Sequence, residues 1–265
     1  MICYHGTPIT PKSAAISVLR GRHGLVSFAH QADLEVVLDA CSSFVLDNGA
    51  FSAWKSGSPI SDWSPYYDWV FSIWRHPGCD WAIIPDVIDG TEDDNDHLIE
   101  NGWPTALRGL GVPVWHLHES LTRLLRLSRS FRVVALGSSG EYSRPGTANW
   151  WVRMGRAMDV VCDGGKPRCK LHGLRMLNPA VFTKLPLHSA DSCNVARNIG
   201  IDCHWTKGSY APATKAARAV LIADRIESNQ SASSWVGYDN MESAFGICPD
   251  DSIQPELFPR EETRL

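Results

Sequence analysis

The chain has 265 residues, of which 44% are hydrophobic and 20% charged, with a formal net charge of −4. That composition excludes a disordered or fibrous polymer and suits one domain with a full core. No window holds the roughly 18 apolar residues of a membrane span, and the first residues lack the basic and apolar stretches of a secretory leader, so a cytoplasmic protein is expected.

Short apolar, β-rich runs recur along the chain at 24–29, 43–46, 81–85, 112–117, 132–136, 170–174, 185–188 and 201–205, with 1–4 as a further candidate. Helical patterns separate them at 11–19, 34–40, 65–74, 94–101, 121–130 and 150–158, and a late helix is expected at 214–226. Alternating strands and helices predict a parallel sheet, and this many units predict an α/β fold closed as a single (β/α)8 TIM-like barrel. A doubly wound sheet is the alternative, but no Gly-x-Gly-x-x-Gly turn follows an early strand. The barrel is assigned to 1–230. Residues 231–265 turn to Ser, Asn, Asp, Glu and Pro and read as a polar, partly disordered extension.

Three predicted strands stop at or near a carboxylate. Asp47 closes one run before the turn Asn48-Gly49-Ala50-Phe51, Asp86 follows Pro85, and Asp191 follows Ser189-Ala190. Carboxylates gathered at one rim of a parallel barrel can form a catalytic site. Two of them also suit a plainer role: Asp47 a turn residue, Asp191 a helix N-cap. The turn Gly137-Ser138 would present backbone groups to a ligand. His116 and His118 alternate on one strand and so share a face, as in barrel metal hydrolases that add further ligands, for which His172 and Asp86 are the candidates. Pocket-lining histidines are the simpler reading of that pair. The eight cysteines are scattered. They read as reduced thiols, and the spacing of Cys162, Cys169 and His172 does not support a structural zinc.

Charge is distributed unevenly. Residues 153–218 carry eleven Lys and Arg against four Asp and Glu, whereas the segments on either side are acidic. A basic block in an acidic protein suits a phosphate-facing patch, and a solvated helical face equally. Its candidate nucleic-acid contacts are Arg153, Arg156, Lys166, Arg168, Lys170, Arg175, Lys184 and Arg197.

Taken in order from Gly6-Thr7 to Asn198, these motifs resemble the tRNA-guanine transglycosylase superfamily. Asp47-Asn48-Gly49-Ala50-Phe51 is similar to its Asp-Ser-Gly-Gly-aromatic motif, and Leu171-His172-Gly173-Leu174 to its Leu-Met-Gly-Val segment. Asp191-Ser192-Cys193-Asn194-Val195-Ala196-Arg197-Asn198 is similar, though not residue for residue, to its nucleophile motif. The family's Cys-x-Cys-x-x-Cys zinc motif is absent, with only Cys203 and His204 in that direction, and a His-x-His replaces its Gln-Gly-Gly turn. Those departures, and the short chain, point to the trimmed branch that exchanges guanine in DNA for a 7-deazaguanine in phage and bacterial DNA modification, a means of evading restriction.

The resemblance implies Asp191 as nucleophile and Asp47 as general acid and base. It implies Asp86 on the base edge, Phe51 and His172 on the ring faces, Gly137 and Ser138 on the base through their backbone, and His116 or His118 on the O6/N7 side. It implies DNA and a free 7-deazaguanine such as preQ0 as partners, no cofactor and no metal, and the host cytoplasm as the setting for a phage-encoded enzyme. A tRNA substrate, a metal-dependent barrel hydrolase built on His116 and His118, and a non-catalytic binding subunit are the other readings.

Overall fold

The computed structural model describes residues 1–208 and 210–247; the Cys248 thiol and the expected tail at 255–265 lie outside the described residues. The main sheet contains β1 (Ile2–Gly6), β2 (His23–Ser27), β3 (Ser43–Asp47), β4 (Cys79–Ile83), β5 (Gly111–Val112), β6 (Val114–His116) and β7 (Val133–Gly137). A short antiparallel hairpin, β8 (Cys162–Asp163) with β9 (Lys166–Pro167), precedes the last two sheet strands, β10 (Lys170–Gly173) and β11 (Ser189–Ser192). Every pairing in the main sheet is parallel, in the order β5-β4-β3-β2-β1-β11-β10-β7-β6.

The two ends of that order are neighbours in sequence. β5 pairs with β4, β6 pairs with β7, and only Pro113 lies between β5 and β6. Proline has no N–H to donate, which divides the strand there. Its carbonyl still accepts from the Ala135 N–H at 3.0 Å. The result is a nearly closed, barrel-like parallel sheet surrounded by helices, consistent with a TIM-like barrel but with nine strands rather than the expected eight, the run at 112–117 being divided at Pro113.

Side chains along each strand alternate between two environments, as the pleat requires. Tyr4, Leu25, Val45, Trp81, Ile83, Val112, Val114 and Ala135 form one buried cluster, which fills the barrel. Val26, Phe44, Leu46, Ala82, Trp115, Val134, Leu136, Leu171 and Ala190 belong to the larger cluster under the helices. Extending the inward set to the strand ends places Asp47, His116, Gly137 and Asp191 on the inner wall at the C-terminal edge.

Several helices begin at side-chain caps that the sequence supplies. Ser120 accepts from Arg123 N ahead of Leu121–Ser130, Thr147 from Trp150 N ahead of Ala148–Val161, and Thr214 from Ala217 N ahead of Lys215–Glu227. Thr91 and Asp94 form a reciprocal capping box ahead of Glu92–His97.

Two further expectations need correction. Residues 201–205 are not a strand; the segment Cys203–Thr206 is a short helix. The run at 185–188 leads into the last strand, which starts at Ser189, because Leu185 and Leu187 pack into the helical layer rather than the sheet. The described part of the expected polar extension, 231–247, docks against the barrel. Trp235, Met241 and Ile247 are buried, and Asp159 Oδ1 accepts from Trp235 Nε1 at 2.6 Å and from Tyr238 N at 3.0 Å. Among the described residues no helix is long and apolar enough to cross a membrane.

A buried ion-pair network ties the loop after β4 to the loop after β6. Glu119 accepts from His116 N at 2.8 Å, Asn95 Nδ2 at 2.9 Å and Arg123 Nη1 at 2.6 Å, while Arg123 also reaches Val114 O and Asp96. Glu119 and Arg123 are 3% and 1% exposed, so neither charge has water to fall back on. Arg123→Leu should therefore destabilise the fold by about 3–5 kcal/mol, because it strands a buried carboxylate. Adding Glu119→Leu should recover part of that loss. Urea unfolding of the single and double variants checks both expectations.

Candidate active site

The three carboxylates meet at the C-terminal edge of the barrel. Asp47 ends β3 and is half-buried, Asp191 lies in β11 and is 5% exposed, and Asp86 follows β4 and is 7% exposed. They are close enough for the charges on Asp191 and Asp86 both to disfavour ionisation of Asp47.

Asp47 has a raised proton affinity. Burial, reinforced by Asp191 and then Asp86, pushes its carboxyl up to about 6, against the partial opposition of the Ser27 hydroxyl and the Gly49 N–H. The Gly49 N–H donates to Asp47 Oδ2 at 3.1 Å. Gly49 holds φ +79°, and a Cβ there would sit 3.0 Å from Ala29, so the turn that supplies this N–H requires glycine.

Asp191 is held differently. Its Oδ1 lies 3.1 Å from His172 Nε2 and accepts from Arg175 N at 3.1 Å. Arg175 adopts φ +58°, a left-handed conformation uncommon for a residue with a Cβ. That conformation coincides with the bond to Asp191 and with two further contacts. Arg175 Nη2 donates to Ser143 O at 3.1 Å, and the guanidinium lies 4.0 Å from the Phe51 ring centroid. The loops after β3 and β10 therefore touch across the rim.

Asp86 is bound on both oxygens. Asn48 Nδ2 donates to Oδ1 at 2.7 Å and His116 Nε2 lies 2.8 Å from Oδ2. Asn48 Nδ2 also reaches Ile84 O, and Asn48 Oδ1 accepts from Ala50 N, so one amide joins the β3 and β4 turns. A carboxylate oxygen has more than one acceptor position, so these bonds leave Asp86 able to accept further donors.

Other candidate residues take roles that the sequence did not indicate. His172 is 0% exposed inside the barrel, with Nδ1 2.9 Å from Ser189 Oγ and its ring edge-on to Trp81. It supports Asp191 from below and offers no ring face at the rim. Gly137 does not open its backbone to the rim. Its carbonyl accepts from Leu117 N, and a Cβ would lie 2.9 Å from His116 Nδ1. The Ser138 hydroxyl accepts from Trp150 Nε1 at 3.0 Å. His116 and His118 are stacked at 5.6 Å, but only His116 meets Asp86; His118 Nδ1 lies 2.8 Å from Ser139 Oγ. Among the described residues no group of three or more His, Cys, Asp and Glu is arranged to hold a metal ion.

The basic block does not form one surface, because strand polarity divides it. Arg175 and Arg197 follow the C-terminal ends of β10 and β11, on the side of the carboxylates. Lys166, Arg168 and Lys170 lie at the hairpin and at the first residue of β10, at the N-terminal edge. Arg153 is turned inward. It donates to Leu117 O at 2.6 Å and to Glu119 O, bracing the loop after β6. Arg156 lies over the Tyr238 ring at 5.7 Å, and Lys184 Nζ donates to Ala180 O.

Asn48, Glu119 and Cys193 were not singled out from the sequence. Cys193 is exposed at the rim, where a Cβ on Gly6 would approach its Sγ to 2.8 Å.

The raised Asp47 carboxyl has a signed consequence for stability. Its ordinary value is 3.8 and its folded value about 6, so the native state holds the proton longer than the unfolded chain. The stabilisation from that proton is complete below pH 3.8 and is lost as pH rises through about 6. The shift corresponds to roughly 3 kcal/mol at most. Asp47→Asn should thus be more stable than the parent by about 1–3 kcal/mol at neutral pH and no more stable in acid well below the ordinary carboxylate value. Urea unfolding at the two pH values measures it, and an identical difference at both would show that Asp47 titrates normally.

Compared with protein-family models, with curated proteins and with solved structures, the chain matches none.

Proposed function

We propose that the protein is a DNA-guanine transglycosylase that replaces guanine with a 7-deazaguanine through a covalent aspartyl-sugar intermediate. The observation that carries the reading is the pairing of two neighbouring rim carboxylates in unlike environments: Asp47 pushed up to about 6, and Asp191 held by an imidazole and a backbone N–H. Acid–base and nucleophilic roles call for such a difference. The order of motifs along the chain supports the substrate class.

In this mechanism an Asp191 carboxylate oxygen attacks C1′ of the target deoxyguanosine. The C1′–N9 bond breaks, its electron pair leaves with the guanine, and Asp47 delivers a proton to the departing base. A free 7-deazaguanine then takes the vacated place. Asp47 removes its N9 proton, N9 attacks C1′, and the ester to Asp191 breaks. Two inversions give net retention. His172 and the Arg175 N–H orient Asp191 Oδ1, leaving Oδ2 as the attacking atom. Asp86, fixed by Asn48 and His116, accepts from the N–H edge of the base, and Phe51 packs on its ring. The target nucleotide leaves the stack first, at a cost of a few kcal/mol. Arg175 and Arg197 are the basic residues on the correct face to meet its phosphates.

The test is trapping. Incubation with guanine-containing DNA and no incoming base should yield a denaturant-stable protein–DNA adduct that Asp191→Ala abolishes, while an equivalent tRNA yields none. Release of guanine in a single turnover should weaken as pH rises through about 6, where Asp47 loses its proton. An adduct that survives in Asp191→Ala, or one formed on tRNA alone, overturns the proposal.

A further inference from the structure

The N-terminal edge of the barrel, opposite the carboxylates, carries an open cleft of about 740 Å³. It lies where the chain enters β7, β10 and β11, so a strand length of about 10–15 Å separates it from the rim acids. Its volume falls in the range of small-molecule sites. Arg129, Arg132, Arg168 and Lys170 line it, and among the described residues no Asp or Glu does. Phe131 and Pro167, both partly exposed, supply apolar wall.

The state of those cations is informative. Arg168 is paired with Asp163 at 3.3 Å. The side chains of Arg129, Arg132 and Lys170 make no hydrogen bond or ion pair among the described residues. Grouped cations without counter-charges repel one another, and that repulsion persists in a chain whose net charge is −4. His188, also in the lining, registers the same field: burial, then the Lys170 ammonium, holds its imidazole below the ordinary value. Guanidinium forks match phosphate oxygens in pairs, and an ammonium adds a point charge. The apolar wall adds a place for an organic group that a bare inorganic anion lacks.

We propose that this cleft binds a small organic polyphosphate, of the chemical class of a nucleoside di- or triphosphate. Arg129, Arg132 and Lys170 take the phosphates, and the wall of Phe131 and Pro167 takes the organic part. The inference is independent of the reaction assigned to the rim.

Isothermal titration of the full chain with ATP tests it. ATP should bind with a Kd below about 1 mM, and inorganic tripolyphosphate should compete for the same site. Arg132→Ala combined with Lys170→Ala should weaken ATP binding at least tenfold. Arg129→Gln alone, at an exposed helix end, should weaken it severalfold and guards against a misfolded double variant. Asp191→Ala should bind ATP as the parent does. Absence of ATP binding, full binding in both cleft variants, or a cleft that takes a single-stranded oligonucleotide but not ATP would each overturn the proposal.

Discussion

Segment 111–116 bonds to two neighbours that are otherwise at opposite ends of the strand order. Its first residues pair with β4 and its last with β7, and that double engagement curls the sheet into a barrel. Much of the rim depends on it. His116 ends the segment, points inward and meets Asp86 across the gap to the β4 loop. Gly137 is glycine in keeping with the ring of His116 against its Cα. Glu119, just beyond, gathers His116 N, Asn95 and Arg123 into one buried knot that anchors the same two loops. Uncurling this segment would separate Asp86 from His116 and leave that buried carboxylate with Asn48 alone.

Within that frame the rim carboxylates are differentiated by what holds them. Asp47 has a hydroxyl and one glycine N–H to offset burial and two acidic neighbours. Asp191 has an imidazole, itself fixed to Ser189, and an N–H delivered by a left-handed arginine. Ser189, His172 and Asp191 form a hydrogen-bonded chain, but Ser189 is buried 1% exposed inside the barrel, so its hydroxyl orients the ring and does not meet a substrate. The proposed base exchange draws on this asymmetry: one acid suited to holding a proton near neutrality, the other aimed by its supports.

Strand direction also sorts the positive charge. In a parallel barrel every strand starts at one edge and ends at the other, so residues a few positions apart in sequence can face opposite solvents. Lys170 and Arg175 illustrate it, one at the entry to β10 and the other just past its exit. A single basic stretch of sequence thus becomes two features: a pair of arginines beside the acids, and cations lining a cleft on the far side.

The periodic signal was enough to read the architecture from the chain. Alternating apolar runs and helical patterns pointed to a parallel, barrel-like sheet, and Asp47 was legible as the end of a strand, because both depend on near neighbours in sequence. The failures share a cause. The run at 185–188 has strand-like composition, but Leu185 and Leu187 pack into the core under the helices, and 201–205 has it too, yet Cys203–Thr206 is helical. His172 looked like a ring for stacking until the fold placed it inside the barrel beneath Asp191. Arg153 looked like a surface cation until its guanidinium met two loop carbonyls. Residue identity and spacing determined which groups the protein has and which strand edge each occupies. Only the tertiary structure decided which of them touch, which are buried, and hence which acid holds its proton, because desolvation and pairing arise between residues far apart in the chain.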